Sequence, residues 1–357
     1  MKKITLLLFV ATCFAFYANA SIWRVNNNEN VDADFTDLQA AIDDANVMPF
    51  DTIYLEASNT SYGSIDVDKP LVIIGAGYFL EENDSTQAQK APSILKDIDF
   101  KDGSSGSVLY GCSFDEAGTN TSSTYPNVII RTGNIKISRN SWQYSTNAVY
   151  DVFAIYIIAD NLTDLIIENN YIEIYNGWDP CQAIYSDQIG IDLVIRNNYL
   201  AASAGGSDIG YALNLPSVNN NCEVRNNVFN GDVTINDAIM LNNVMISGTL
   251  LGSNNIYHNN IANETQFGNQ NGNQENVDMA TVFVDHLSGI DNGLVLKAGS
   301  PAIGAGFSGE DCGLFGGNHP YVLSGIPPIP AIFEIENSGI GNSGTPIQVI
   351  LKAKSNR

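Results

Sequence analysis

Residues 165–172 read Leu-Ile-Ile-Glu-Asn-Asn-Tyr-Ile, and this pattern decides the fold because it recurs in register along most of the chain. Its frame is apolar, any, apolar, any, any, Asn, any, apolar. The sixth position of the frame falls at Cys112, Asn140, Asn170, Asn198 and Asn227, with weaker copies at Asn243 and Asn259 and an early one at Gly77. From 112 to 227 the steps are 28, 30, 28 and 29 residues, and a fixed period of this kind indicates stacked structural units.

Each unit carries further short apolar alternations, such as 152–158 and 211–215, separated by turn signals such as Asn176-Gly177 and Gly205-Gly206. Units of 28 to 30 residues with several short strands and no helical pattern predict an all-β parallel β-helix, which is a solenoid. A leucine-rich repeat is excluded because its Leu-x-x-Leu-x-Leu spacing is missing. A propeller blade would be longer and antiparallel.

Side chains alternate along a strand, so Leu165 and Ile167 are predicted to point inward while Ile166 and Glu168 point outward. Asn170 is predicted to adopt the left-handed turn that bends the strand and to bond the Asn one coil away. The outward column Glu168, Arg196 and Arg225 is interpreted as a surface ion pair, worth about 0–1 kcal/mol.

Four regions are predicted: a signal peptide at 1–20, an N-terminal cap and first coil at 21–93, the parallel β-helix at 94–310, and a C-terminal cap with a small strand module at 311–357. The N-terminal cap includes a helix with an apolar face, which starts at a capping box formed by Thr36 and Gln39.

Residues 1–20 have the features of a secretory signal peptide: Lys2 and Lys3, an apolar stretch, and an Ala18-Asn19-Ala20 cleavage site. They predict an exported protein, located outside the cell, in the periplasm or on the cell surface. No other stretch approaches the ~20 apolar residues of a transmembrane helix.

The chain is strongly acidic, with 16 Lys and Arg, 39 Asp and Glu, and a formal net charge of −23. Cleavage after Ala20 removes two basic residues and leaves 14 against 39, or −25. Such a field repels nucleic acid and anionic membranes, so nucleic acid is not predicted as a partner and an anionic membrane surface is disfavoured. An anionic polysaccharide would need a local basic patch or a bridging divalent cation.

Four cysteines follow the signal peptide, Cys112, Cys181, Cys222 and Cys312, and export permits disulfides. Four cysteines allow three connectivities. Cys112 and Cys222 lie four coils apart, too far to bridge, and are interpreted as small buried apolar residues.

Several segments carry a resemblance to a known superfamily. Residues 35–45, 51–55 and 69–75 resemble the opening cap and first coil of right-handed parallel β-helix proteins with a pectin-lyase-like fold. Residues 300–306 and 313–317 resemble the closing coil of secreted β-helix proteins of Bacteroidetes-type bacteria. The resemblance implies a right-handed parallel β-helix over nearly all of the exported chain.

The superfamily includes lyases, hydrolases, esterases, binding proteins and adhesins, so the resemblance does not identify which function this protein has. Its lyases use an Arg or Lys base, often with calcium held by carboxylates, and its hydrolases use Asp clusters. Neither arrangement maps onto this sequence, and no cofactor is predicted, since no motif supports calcium. His258, His286 and His319 are scattered and form no Ser/His/Asp set.

The best candidate site is a strip of aromatic and acidic residues that follows successive copies of the repeat. Its predicted ligand-binding members are Tyr144, Asp151, Tyr175, Trp178, Asp179, Asp187, Asp208 and Tyr211. Exposed aromatic rings stack on sugar rings, and carboxylates form hydrogen bonds with sugar hydroxyls. Two neighbouring carboxylates can also act as general acid and general base. The simpler alternative is that these residues only cover an outer sheet face. Trp142 occupies an inward position and belongs to the core.

Three functions stay open from the sequence. The first is a secreted or surface β-helix protein that binds polysaccharide or a cell-surface glycan without catalysis. The second is a polysaccharide lyase or glycoside hydrolase, and the third is a structural or adhesive surface protein.

Overall fold

The computed structural model describes residues 20–119, 123–206, 208–217, 221–342, 344 and 346–355. Nearly all of the described strands belong to three parallel sheets, of ten, seven and eight strands. Each complete coil adds one strand to the first, then the second, then the third sheet before the chain returns to the first. This confirms the predicted right-handed parallel β-helix, the hand that parallel crossovers favour. The predicted signal peptide lies outside the described residues, except for Ala20.

The strands of the first sheet are Ile22–Val25, Thr52–Leu55, Val72–Ile74, Val108–Tyr110, Lys136–Ser138, Leu165–Glu168, Asp192–Arg196, Asn221–Arg225, Ala238–Leu241 and Ile256–His258. Those of the second sheet are Ser113–Phe114, Ser141–Thr146, Tyr171–Asn176, Tyr199–Ala204, Val228–Asn230, Val244–Ser247 and Ile261–Ala262. Those of the third sheet are Ser64–Val67, Asp97–Phe100, Thr124–Ile130, Asp151–Ile157, Cys181–Tyr185, Gly210–Leu215, Asp232–Ile235 and Leu250–Leu251.

The interior of the coils is filled by stacked columns of apolar side chains. Leu165 pairs in register with Leu193, and Ile167 pairs with Ile137 and Ile195, all buried. Burying each such side chain contributes about 1.5–3 kcal/mol. Trp142 is fully buried and stacks on Phe114 with ring centroids 4.6 Å apart, as its inward position predicts.

The repeated asparagine forms a buried ladder after the strands of the first sheet from Lys136–Ser138 onward. Asn198 Oδ1 accepts from the backbone N–H of Asn170 at 2.9 Å, and Asn198 Nδ2 donates to the Ile167 carbonyl at 2.8 Å. The ladder runs through Asn140, Asn170, Asn198, Asn227, Asn243, Asn260 and Asn273. Each internal bond contributes about 0.5–1.5 kcal/mol.

Three details of the predicted ladder are wrong. Its sixth member is Asn260 rather than Asn259, and Asn273 extends it. Ile73 pairs in register with Leu109, so the residue three positions later, Ala76 and not Gly77, falls in the column of Cys112. The left-handed conformation belongs to the residue before each ladder position, such as Asn169 at φ 57°, because the ladder side chain itself must point inward.

A short helix, α1 (Leu38–Asp43), packs on the first coils through Leu38, Ala41 and Ile42. Its N-cap is Asp37, whose carboxylate accepts from the Ala40 N–H at 2.7 Å, so the predicted capping box at Thr36 is wrong. Gln39 instead accepts from the backbone N–H of Asp66, which joins the helix to the third sheet.

After the last coil, Phe267 packs into the interior cluster, and the chain then turns back along the outside of the solenoid. Residues 277–326, which we call the C-terminal strap, run back along the outside of the second sheet. The strap includes α2 (Met279–Val282) and three short 3-10 turns, Asp291–Leu294, Phe307–Gly309 and Leu323–Gly325. Met279, Phe283 and Leu314 form a second apolar cluster with outward side chains such as Tyr171 and Val228.

The first asparagine of each Asn-Asn doublet binds this strap. Asn259 Nδ2 donates to the Ala305 carbonyl at 2.9 Å, Asn197 Nδ2 to Leu314 at 2.7 Å, and Asn169 Nδ2 to His319 at 3.1 Å. The contacts step backwards along the stack, so the strap runs antiparallel to the direction in which the coils are added.

The parallel strands extend from Ile22 to Ala262, so the first coil predicted within residues 21–93 is continuous with the three sheets, and the last strand ends before residue 310. The C-terminal strands Pro330–Asn337 and Val349–Ser355 form an antiparallel pair. This pair lies beside the first coils, where the Ala88 N–H donates to the Ile332 carbonyl at 2.7 Å.

The four described cysteines are free and buried. Burial raises the pKa of the Cys181, Cys222 and Cys312 thiols to about 12. No helix in the described part of the chain is long and apolar enough to cross a membrane.

Candidate functional site

A cleft of about 380 Å³ lies at the corner between the second and third sheets. It opens because the strand Tyr199–Ala204 carries only small side chains over Ala201–Ala204, and Gly210 and Gly231 line the same space. A Cβ on Gly210 would lie 2.3 Å from the Ala202 carbonyl oxygen, so this close approach requires glycine.

The cleft is lined by carboxylates, an amide and hydroxyls. Glu173, Asp208 and Asp232 supply the carboxylates, and Asn230 supplies the amide. Neighbouring groups already orient two of them: the Tyr171 hydroxyl donates to Glu173 Oε2 at 2.7 Å, and the Ser247 hydroxyl donates to Asn230 Oδ1 at 2.6 Å. The lining therefore presents mainly hydrogen-bond acceptors.

Two exposed aromatic rings belong to the coil on one side of the cleft. Tyr175 is 38% exposed and pairs in register with Ser203, which lines the cleft. Trp178 is 63% exposed and follows Gly177, whose carbonyl contacts Gly205. An exposed ring of this size beside a polar cleft offers a flat apolar surface at little cost in conformational entropy.

Three predicted carboxylates meet at the same corner. The register of the third sheet places Asp179 and Asp208 at matching positions of successive coils, next to Asp151. Burial and then the negative charges of Asp179 and Asp208 raise the pKa of Asp151. Gln182 Nε2 lies 3.5 Å from Asp151 Oδ2 and only partly offsets this effect.

The outer face of the third sheet continues from this corner as an aromatic and amide surface. Phe153 packs against Tyr156 and Tyr185 with ring centroids 4.8 and 4.9 Å away, although it is not part of the interior cluster. Asn214 Nδ2 donates to Gln182 Oε1 at 2.8 Å. Burial, and then the charge of Asp187, raise the pKa of Tyr185 to about 12.

The structure divides the predicted strip into three groups. Tyr175, Trp178, Asp179 and Asp208 lie at the corner, with Asp151 beside them. Tyr211 and Asp187 lie on the third-sheet side, Tyr211 opposite Gln182 and Asp187 within electrostatic reach of Tyr185. Tyr144 is buried, and its hydroxyl donates to Asn127 Oδ1 at 2.8 Å, so its ring is not available at the surface.

Sequence reasoning did not select Glu173, Asn230 and Asp232, which line the cleft. The available signal was the run of small residues from Ala201 to Gly206, since such a run leaves space beside the larger side chains of the preceding coil. In the described ranges, no group of three or more His, Cys, Asp or Glu side chains is arranged to hold a metal ion.

No family model matches the chain, and no curated protein matches it. The solved structure of pectate lyase Pel9A is similar to this chain, with 15% sequence identity, a TM-score of 0.37, and coverage of 84% of this chain and 96% of that one. A likeness at this level carries no conclusion about function. The fold class is established by the three parallel sheets of this molecule.

Proposed function

We propose that this protein is an exported glycan-binding β-helix protein, and that the corner cleft binds an uncharged segment of a polysaccharide or cell-surface glycan. The observation that carries the proposal is the pair of exposed rings, Tyr175 and Trp178, beside a cleft lined by Glu173, Asp208 and Asp232. Rings stack on the apolar faces of sugars, and carboxylates accept hydrogen bonds from sugar hydroxyls.

The charge of the cleft favours a neutral glycan. Three carboxylates line it and Asp151 and Asp179 stand nearby, while no described lining residue is Arg or Lys. A uronate or sulfate at this position would meet like charges, which repel it. The volume of about 380 Å³ lies within the range of small-ligand sites, which suits one part of a longer chain.

A glycoside hydrolase is the second candidate, favoured by one specific observation. Asp151 has a raised pKa beside two further carboxylates, the arrangement from which a general acid and its partner are built. A lyase has less support at this cleft, because none of its described lining residues is an Arg or Lys base.

Incubation of the exported chain with a panel of neutral and acidic polysaccharides tests the proposal. Retention of a neutral glycan without turnover is expected. Newly formed reducing ends would identify the hydrolase, and unsaturated products a lyase. Failure to bind any glycan would leave the structural or adhesive function.

The variant Trp178→Ala locates the binding surface. Loss of a stacked ring is expected to weaken binding by up to about tenfold. Phe50→Ala is the matched control, because Phe50 is 59% exposed and lies near the first coils instead. Equal binding by the two variants would place the glycan elsewhere.

A further inference from the structure

Basic residues are distributed very unevenly in the coils and the strap. Residues 132–325 contain 19 Asp and Glu but only five Lys and Arg. Four of those five lie on the outer face or the exit turn of the first sheet: Lys136, Arg139, Arg196 and Arg225. The fifth, Lys297, lies in the strap. The same strands carry Glu168, Asp192 and Glu223, so this face, with Arg139 included, has a net charge of +1 in a molecule that is strongly acidic.

Strand register brings these cations together. Glu168 pairs directly with Arg196, and Arg196 pairs directly with Arg225 one coil further on. Glu168 is buried in the middle, with its Oε1 2.5 Å from Lys136 Nζ and its Oε2 2.6 Å from Arg196 Nη2. One carboxylate is thus shared by two cations.

The two arginines are a like-charge pair across neighbouring strands. Adjacent strands lie about 4.8 Å apart, and like charges directly opposite each other destabilise a sheet. Arg225 has its own partner only to one side, where Glu223 Oε1 lies 3.0 Å from Nε. Arg139 donates instead to the Ile326 carbonyl at 2.7 Å, so Lys136, Arg196 and Arg225 face Glu168 and Glu223 with an excess of one positive charge.

The C-terminal strap adds a third side to this face. Asn169 Nδ2 donates a hydrogen bond to the His319 carbonyl at 3.1 Å, and the His319 side chain is exposed. Burial and then the charges of Arg196, Arg225 and Lys136 lower the pKa of His319, so the ring lies within reach of the same cations. Further along, Glu310 accepts from Asn242 Nδ2 at 3.3 Å and marks the end of the cationic face.

We propose that this cationic face, made of Lys136, Arg196 and Arg225 with the neutral imidazole of His319 beside them, binds a phosphate or sulfate group, either free or carried on a larger molecule. A tetrahedral oxyanion would relieve the repulsion between Arg196 and Arg225 and offers oxygens to their planar guanidinium groups. Lys136 and Arg225 keep 28% and 35% of their side chains exposed, so the anion reaches them from solvent. The site is independent of the corner cleft.

Titration calorimetry of the exported chain with sodium sulfate and sodium phosphate tests this site, with ionic strength held constant by chloride. Arg225→Gln is expected to weaken binding about tenfold, the effect of one charge-assisted hydrogen bond. Lys297→Gln removes the same charge away from the face and is expected to leave binding unchanged. Arg225 is partly exposed, so its variant is expected to unfold at the wild-type temperature.

Glu168→Gln gives a change in the opposite direction. It removes the internal anion that competes for Lys136 and Arg196, so sulfate affinity is expected to rise. A rise cannot come from partial unfolding. No sulfate or phosphate binding by the wild type, equal losses in Arg225→Gln and Lys297→Gln, or no gain in Glu168→Gln would each overturn the proposal.

A sulfated disaccharide and its unsulfated form distinguish the two sources of the anion. Tighter binding of the sulfated sugar than of inorganic sulfate, lost in Arg225→Gln, identifies a glycan-borne group. Equal affinities identify the free ion. If the unsulfated sugar showed the same dependence on Arg225, the site would not recognise an oxyanion and the proposal would fail.

Discussion

The outer faces of the second and third sheets belong to the same coils, yet one is covered and the other is open. Tyr171, Tyr199 and Val228 on the second sheet are buried under the strap, where they form an apolar cluster with Phe283 and Leu314. On the third sheet, Phe153 is buried against the rings of Tyr156 and Tyr185, which stay partly exposed, with amide groups beside them.

The difference shows how two aromatic faces of one solenoid acquire different tasks. A face without polar groups needs a cover, because large exposed apolar patches favour association. The face that mixes rings with amides and carboxylates tolerates water and stays available to a ligand. The corner cleft lies where the covered and the open face meet, next to Tyr175.

The largest expected effect comes from removing a large ring from the covered face. Phe283 is 1% exposed, so Phe283→Ala is expected to destabilise the protein by about 3–5 kcal/mol through the cavity it leaves. Tyr211→Ala on the third sheet is expected to change the free energy of unfolding by no more than about 0.5 kcal/mol. Urea unfolding measures both, and similar values would mean that the two faces do not differ in packing.

The two asparagines of a doublet are expected to differ by a smaller amount. Asn198→Ala leaves the buried Asn170 N–H and Ile167 carbonyl without their partner and is expected to cost about 3 kcal/mol. Asn197→Gly keeps the left-handed conformation at φ 53° and loses only the hydrogen bonds to the Leu314 and Gly316 carbonyls. It is expected to lower the free energy of unfolding by about 1 kcal/mol. Equal costs, again from urea unfolding, would contradict the assignment of one asparagine to the interior and the other to the strap.

Acid is expected to weaken the first sheet through Glu168. Burial raises the pKa of this carboxyl, but bonds and charges from Lys136 and Arg196 outweigh burial, and the folded pKa lies below the usual value. The stabilisation is therefore complete above the unfolded pKa, near 4.5, and is lost as the pH falls through the folded pKa. Thermal unfolding between pH 7 and pH 3 should show a shallower acid loss in Glu168→Gln. An unchanged slope would mean that the ion pairs do not contribute.

Thiol labelling separates the strap from the coils. Cys312 lies in the strap, whereas Cys181 and Cys222 lie inside the coils, and all three thiols have a pKa of about 12. Under native conditions all three are expected to resist alkylation, and in low denaturant Cys312 should react first if the strap detaches before the coils open. Mass spectrometry of the labelled peptides measures the order. Simultaneous labelling would mean that the strap and the coils unfold as one unit.

The smallest expected change in stability is at the cleft edge. Trp178 is 63% exposed, so Trp178→Ala is expected to alter the unfolding free energy by less than about 0.5 kcal/mol while glycan binding falls. A large loss of stability would mean that this ring serves packing and not a ligand.

The repeat, the interior columns and the ladder could be predicted because they are local and periodic. Every copy of the frame places its apolar residues and its Asn at fixed spacing, and stacking then follows from strand geometry. The site could be predicted only in part. Trp178 and Asp208 follow the repeat closely, but Tyr144 faces inward, and the cleft depends on small residues in the next coil, which a residue-by-residue search for functional side chains does not register.

By itself the sequence determined the architecture, since a buried asparagine every 28 to 30 residues is compatible with few other folds. The tertiary structure decided which faces are free. Asn169 and Asn170 are identical neighbours in sequence, yet Asn170 bonds the next coil while Asn169 binds a strap about 150 residues later. The frame marks the inward asparagine, but nothing within the repeat encodes the partner of the outer one. The backbone turns the two side chains to opposite sides of the wall, and only the returning strap covers the outer one.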